Sequence, residues 1–197
     1  MSHMLSKLLD TTFRRPKGPL GRLGGLIMSQ SNAETEQQLV RLANLSSPDT
    51  VLVIGPGPGV GLHAAAERAG HVIGIDPSVD MLHSAAQRCE RQIAAGVVEL
   101  RAGTAEQTGQ PPESVDTVLS TNNVQIWPDR PAAFAELHRV LRPGGRLLLS
   151  AHERWLPVPK HDLADELRAA GFTDVQAWSW QPVQRSTVAA QLSALRP

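Results

Sequence analysis

The stretch Val51-Leu52-Val53-Ile54-Gly55-Pro56-Gly57-Pro58-Gly59, followed by the run Val72-Ile73-Gly74-Ile75-Asp76, decides the fold. Apolar residues that end in closely spaced glycines read as a buried parallel strand entering a tight turn, where a ligand can approach bare backbone. Asp76 closes the second apolar run, so its carboxylate can reach both hydroxyls of a ribose lying across the two strand ends. A nucleoside cofactor is the expected ligand. A dinucleotide site needs G-x-G-x-x-G, so that free N–H groups cradle a pyrophosphate. Counted from Gly55 the third glycine of that pattern falls on Val60, and counted from Gly57 it falls on Leu62. Pro56 and Pro58 also remove two backbone donors from the turn. These features count against a nicotinamide oxidoreductase and favour a ligand without phosphates.

Outward from this turn, strand and helix signals alternate. Ser31-Asn32-Ala33-Glu34 is a capping box that opens a helix to about Leu45. Val60 to Ala69 predicts a helix stopped by Gly70, and Ser78 caps a helix over Val79 to Ala94. Strands are predicted over Val97 to Arg101, Val115 to Ser120 and Arg146 to Ala151. Pro131 opens a helix with the apolar face Phe134, Leu137, Val140 and Leu141, closed by Pro143-Gly144-Gly145. After a helix over Asp162 to Ala170, strands are predicted over Thr173 to Trp180 and Ser186 to Leu192. Alternation implies right-handed parallel crossovers, and the short final link implies an antiparallel hairpin at the sheet edge. The expected architecture is an α/β Rossmann-like three-layer sandwich with a mostly parallel sheet. Residues 1–45 read as an N-terminal arm and lid helix packed on the core, and residues 46–197 as the cofactor-binding domain. Gly18 to Met28, rich in glycine and apolar side chains, can fold over the site.

Taken together, Gly55-Pro56-Gly57-Pro58-Gly59, Asp76, the strand Ser114-Val115-Asp116-Thr117-Val118 and the corner Leu141-Arg142-Pro143-Gly144-Gly145-Arg146 resemble the class I S-adenosylmethionine-dependent methyltransferases, in their small-molecule, type 11-like branch. The resemblance runs from about Gly18 to the C-terminus and implies a seven-stranded sheet with S-adenosyl-L-methionine as cofactor. It places the cofactor against Gly55, Pro56, Gly57 and Gly59, then Asp76, Pro77 and Met81, and then Thr104, Ala105, Glu106 and Asn122. Two positions depart from the family pattern. Its acid two residues before the first glycine is here Val53, and its acid after the third strand is here Thr104.

Methyl transfer from a sulfonium is an in-line displacement whose rate comes mostly from alignment, with a base added for a hydroxyl acceptor. His152, just past the fifth strand, is the candidate catalytic base, because imidazole titrates near neutrality. Met28, Asn32, Asn123, Gln125, Trp127 and Trp155 are the candidate acceptor contacts, the amides orienting a polar group and the indoles giving flat walls. The expected reaction is methylation of a small molecule, at a hydroxyl oxygen of a sugar or another polyhydroxylated acceptor. The alternatives are N-methylation of a small amine and a non-catalytic nucleoside-binding module.

Composition sets outer limits. The 197 residues suit one core without disulfides, and 19 basic residues balance 19 acidic ones. No nucleic-acid or membrane partner is therefore expected, and no metal cluster is apparent. One cysteine and no apolar run of spanning length predict a soluble, cytoplasmic protein with Cys89 in the core, and a monomer or homodimer is expected. Ser2-His3-Met4 reads as a cloning scar.

Overall fold

The computed structural model describes residues 32–181 and 187–197. Its strands are β1 (Thr50–Ile54), β2 (His71–Asp76), β3 (Val98–Ala102), β4 (Val115–Thr121), β5 (Leu141–His152), β6 (Thr173–Trp180) and β7 (Ala189–Leu195). Helix α1 covers residues 32–43. It is followed by α2 (Val60–Ala66), α3 (Val79–Arg88), α4 (Glu90–Ala94), α5 (Arg130–Val140) and α6 (Lys160–Ala169). The strands form one sheet in the order β3-β2-β1-β4-β5-β7-β6. The first five pair in parallel, and β7 runs antiparallel to both β5 and β6. This is the expected mostly parallel sheet with its antiparallel C-terminal hairpin.

Strands buried on both faces must alternate their apolar side chains between two cores. Leu52, Ile54, Val118, Leu147, Leu149 and Ala151 pack with Phe134 and Leu137 of α5 and Leu163 and Leu167 of α6. Val51, Val53, Leu119 and Leu148 point the other way, onto Leu39, Val40 and Ala43 of α1 and Leu62 and Ala65 of α2. Three layers result. A bidentate pair between Arg130 and Glu166, at 2.7 and 2.8 Å, ties α5 to α6. No helix among the described residues is long and apolar enough to cross a membrane.

Several boundaries differ from the sequence reading, among them the helix from Val60, which ends at Ala66 rather than Ala69. The helix predicted over Val79 to Ala94 breaks at Cys89, whose backbone leaves helical geometry at φ −103 and ψ 21. The thiol itself is fully buried, and burial pushes its pKa up to about 11. Strand β5 begins at Leu141 rather than Arg146, because Leu141 already pairs with Val115 ahead of an irregularity in the ladder. The Pro143-Gly144-Gly145 corner is held by reciprocal bonds, Gly144 N–H to the Arg196 carbonyl and Arg196 N–H to the Gly145 carbonyl, at 2.8 and 2.9 Å. Strand β7 starts at Ala189, later than Ser186, where its pairing with His152 begins. The lid segment, Met28 and the Ser31 cap lie outside the described residues.

Candidate cofactor and acceptor site

The carboxyl ends of β1, β2, β4 and β5 open on one edge of the sheet, and the turn after β1 lies at its centre. Gly55, Gly57 and Gly59 all take positive φ, at 61°, 52° and 85°. Other residues are strained in that region, which is why the turn requires glycine there. A Cβ on Gly57 would meet nothing within 4 Å, whereas one on Gly59 would meet Ala85 Cα at 3.0 Å. Gly57 thus leaves a face open to a ligand, and Gly59 lets the turn sit on α3. The turn is pinned to β2 by the Gly55 N–H bond to the Ile75 carbonyl at 2.8 Å, and Gly74 admits Pro56 and Leu62 onto that strand.

Asp76 ends β2 beside the turn and is 6% exposed. Its Oδ1 accepts from Ser78 N–H at 2.8 Å, and Ser78 Oγ accepts from Met81 N–H at the start of α3. Burial raises the Asp76 pKa to about 6, against the lowering effect of the Ser78 and Gly57 backbone N–H groups. A carboxylate held this way favours hydroxyl donors. Pro77 is exposed and Met81 is buried beside it. Farther along the edge, Thr104 is exposed, Ala105 is buried in the α5 and α6 core, and Glu106 Oε1 accepts from Asp129 N–H at 3.4 Å.

On the other side of β1, the amides after β4 bond to the backbone. Asn123 Nδ2 donates to the carbonyls of Ile54, Gly55 and Thr121 at 3.1, 3.1 and 2.8 Å, and its side chain fills the space a Cβ on Gly55 would need. Asn122, at φ 54, donates its N–H to the Ser150 carbonyl at 2.7 Å and accepts from His152 N–H through Oδ1 at 3.0 Å. Gln125 Nε2 donates to the Asn122 carbonyl at 2.7 Å. Trp127 is 9% exposed and meets Phe134 edge to face in the core. His152 is 4% exposed at the end of β5, its ring edge-on to Trp155 at 4.6 Å. Trp155 is 43% exposed and carries the Arg154 guanidinium over its face at 4.8 Å. Asn32 is buried in the first described turn of α1.

One residue at this edge escaped the sequence reading. Glu36 of α1 reaches the start of α2, where its Oε2 accepts from Gly61 N–H at 2.6 Å. It lines a small cavity with Val40, Val53, Gly55, Gly61 and Thr121. The available signal was a carboxylate at the head of the helical stripe Glu36, Leu39, Val40 and Ala43, whose other members are all buried.

A methyltransferase domain model matches residues 52–149, which span β1 through most of β5. An uncharacterized methyltransferase of Bacillus subtilis is 28% identical over 78% of this chain and 87% of its own length. Phosphoethanolamine N-methyltransferase 1 of Arabidopsis thaliana is 31% identical over 77% of the chain, and nocamycin O-methyltransferase of Saccharothrix syringae 33% over 78%. The chain spans 31% and 56% of those two proteins. In fold it is similar to the Haloferax volcanii chain solved with the Trm112 methyltransferase activator, at TM-score 0.80 and 18% identity over 90% of this chain and 94% of that one. The glycine turn, the strand order and these likenesses agree: the chain belongs to the class I S-adenosylmethionine-dependent methyltransferases, and S-adenosylmethionine is its cofactor.

Proposed function

We propose that this enzyme methylates a small molecule at a hydroxyl oxygen, with His152 as general base. The observation that carries the reading is the placement of His152. Alternation along β5 sends Leu149 and Ala151 into the α5 and α6 core, so His152 falls with Leu148 on the face covered by α1. Its main chain is fixed to Asn122 at the end of β4, the strand between β5 and β1, which supports an imidazole on the same sheet edge as the glycine turn. The open face at Gly57 and the buried Asp76 carboxylate fit a nucleoside cofactor held through its ribose.

The bound cofactor supplies an electrophilic methyl carbon, whose bond to sulfur breaks with both electrons moving to sulfur as the acceptor oxygen bonds to carbon. The chain's own part is to hold the acceptor in line, exclude water and take the hydroxyl proton at the His152 ring. Trp155, edge-on to that ring at 4.6 Å, supports a flat wall for the acceptor there. The named O-methyltransferase relative supports an oxygen acceptor, and the phosphoethanolamine N-methyltransferase relative supports an amine as the second reading. An amine brings its own lone pair and needs no strong base.

The test is transfer of labelled methyl from S-adenosylmethionine to a panel of small hydroxyl compounds and amines, with wild type and His152→Ala. On a hydroxyl acceptor the variant should lose about 10² to 10⁴ in turnover with unchanged affinity for S-adenosylhomocysteine, as expected for a group that acts only in the transition state. Transfer to amines alone, or a variant that keeps its turnover, would replace this reading with the second.

A further inference from the structure

We propose that Glu36 receives the α-ammonium group of the cofactor's methionine moiety, supplying from α1 the carboxylate that β1 lacks at Val53. The inference rests on the reading that the cofactor lies across the glycine turn with its ribose on Asp76. The two carboxylates flank that turn. Asp76 ends β2 on one side of β1, and Glu36 reaches a cavity formed with Val53 and Gly55 of the β1 end and Thr121 of β4 on the other. With its diol on the β2 side, the cofactor would present its amino-acid end, which bears an ammonium and a carboxylate group, to the β4 side.

The chemistry at Glu36 fits that cation. Val53 and Ile54 bring only apolar side chains to the end of β1. Asn123 presents its amide donor there, to the Ile54 and Gly55 carbonyls. Glu36 is the carboxylate lining the cavity. Leu39 and Val40 of its own helix line the same cavity. Burial raises its pKa to about 7, with Gly61 N–H and the charge of Arg88 pulling the other way. A half-buried carboxyl group with a single backbone donor is costly to ionise, and an ammonium group placed against it offsets that cost.

Glu36 could instead only staple α1 to α2 through Gly61. Glu36→Gln separates the two roles, because the amide keeps an acceptor for Gly61 N–H and loses the charge. The probes are S-adenosylhomocysteine, which carries the ammonium group, and methylthioadenosine, which lacks the amino-acid end. In calorimetric titrations Glu36→Gln should weaken S-adenosylhomocysteine by about 10- to 100-fold, as loss of a charged hydrogen bond predicts, and leave methylthioadenosine unchanged. An equal effect on both ligands, or none on either, overturns the proposal. If Glu36→Gln does not fold, Glu36→Asp, which draws the charge back by one methylene, should show the same split on a smaller scale, and no split again overturns it. Asp76→Ala is the control for the underlying reading and should weaken both ligands about a hundredfold or more. Unchanged binding in that variant removes the reading and the proposal together, whereas failure at Glu36 alone leaves the reading standing.

Discussion

The two sides of β1 use their polar groups in opposite ways. On the β2 side, a glycine turn leaves open space above Gly57, and the single carboxylate of Asp76 is buried beside it. On the β4 and β5 side, polar side chains are abundant, yet Asn122, Asn123 and Gln125 donate to or accept from the backbone of the strand ends themselves. The first side offers open backbone, and the second is a stapled strand end that buries His152 and exposes Trp155. A nucleoside of fixed shape can be recognised by a backbone mould. An acceptor recognised by side chains can change with a few substitutions while the staples hold the sheet edge in place.

The largest effect that would break this contrast is expected at Trp127. If its ring is core, as its edge-to-face contact with Phe134 indicates, Trp127→Ala should cost about 3 to 5 kcal/mol of stability in denaturant unfolding. Affinity for S-adenosylhomocysteine should survive in the fraction that folds. A variant with wild-type stability and a raised KM for the acceptor would put the indole in the acceptor site and blur the division between the two sides.

A smaller effect sharpens the contrast at Asn123. Its amide is the donor shared by three carbonyls, two at the end of β1 and one at the end of β4. Asn123→Ala should cost about 1 to 3 kcal/mol, read as a lower urea midpoint at unchanged slope. If stability instead holds and only turnover falls, the amide serves the acceptor rather than the sheet.

The same contrast explains what the sequence could show. Gly55, Gly57 and Asp76 were legible because positive φ, an open face and a strand-end carboxylate are demands that few residue types meet, so residue type and place carry the meaning. The parallel pairing followed from alternation and the antiparallel edge from the short final link, and the boundaries slipped at β5 and β7, where pairing partners rather than local pattern set the ends. Asn123 and Trp127 were not legible as a staple and a core ring. An amide or an indole after a strand can turn towards a ligand or back onto its own fold, and one chain of letters does not record the direction. Glu36 was missed for a related reason, since its partner Gly61 lies 25 residues away on another helix.

The smallest effect concerns the pH dependence of the ligand-free protein. Burial raises Asp76 from 3.8 to about 6 and Glu36 from 4.5 to about 7. A carboxyl group whose pKa is higher in the folded chain binds its proton more tightly there than in the unfolded chain. Its contribution to stability is therefore fully present below the unfolded value and is lost as pH rises through the folded one. Carboxylates such as Glu136 and Glu153, held below their ordinary range chiefly by Arg139 and Thr108 and by Lys160 and Ser179 respectively against the opposing effect of burial, act in the reverse sense. The clean quantity is the difference between variants. Measured without ligand from pH 4 to pH 7, the melting temperature of Asp76→Asn should rise relative to wild type by a few degrees as pH increases, since the amide has no proton to lose. Glu36→Gln should show the same trend at slightly higher pH. A difference that stays flat across this range would mean that neither carboxylate is under strain in the empty site, and the two sides of β1 would then differ in geometry alone.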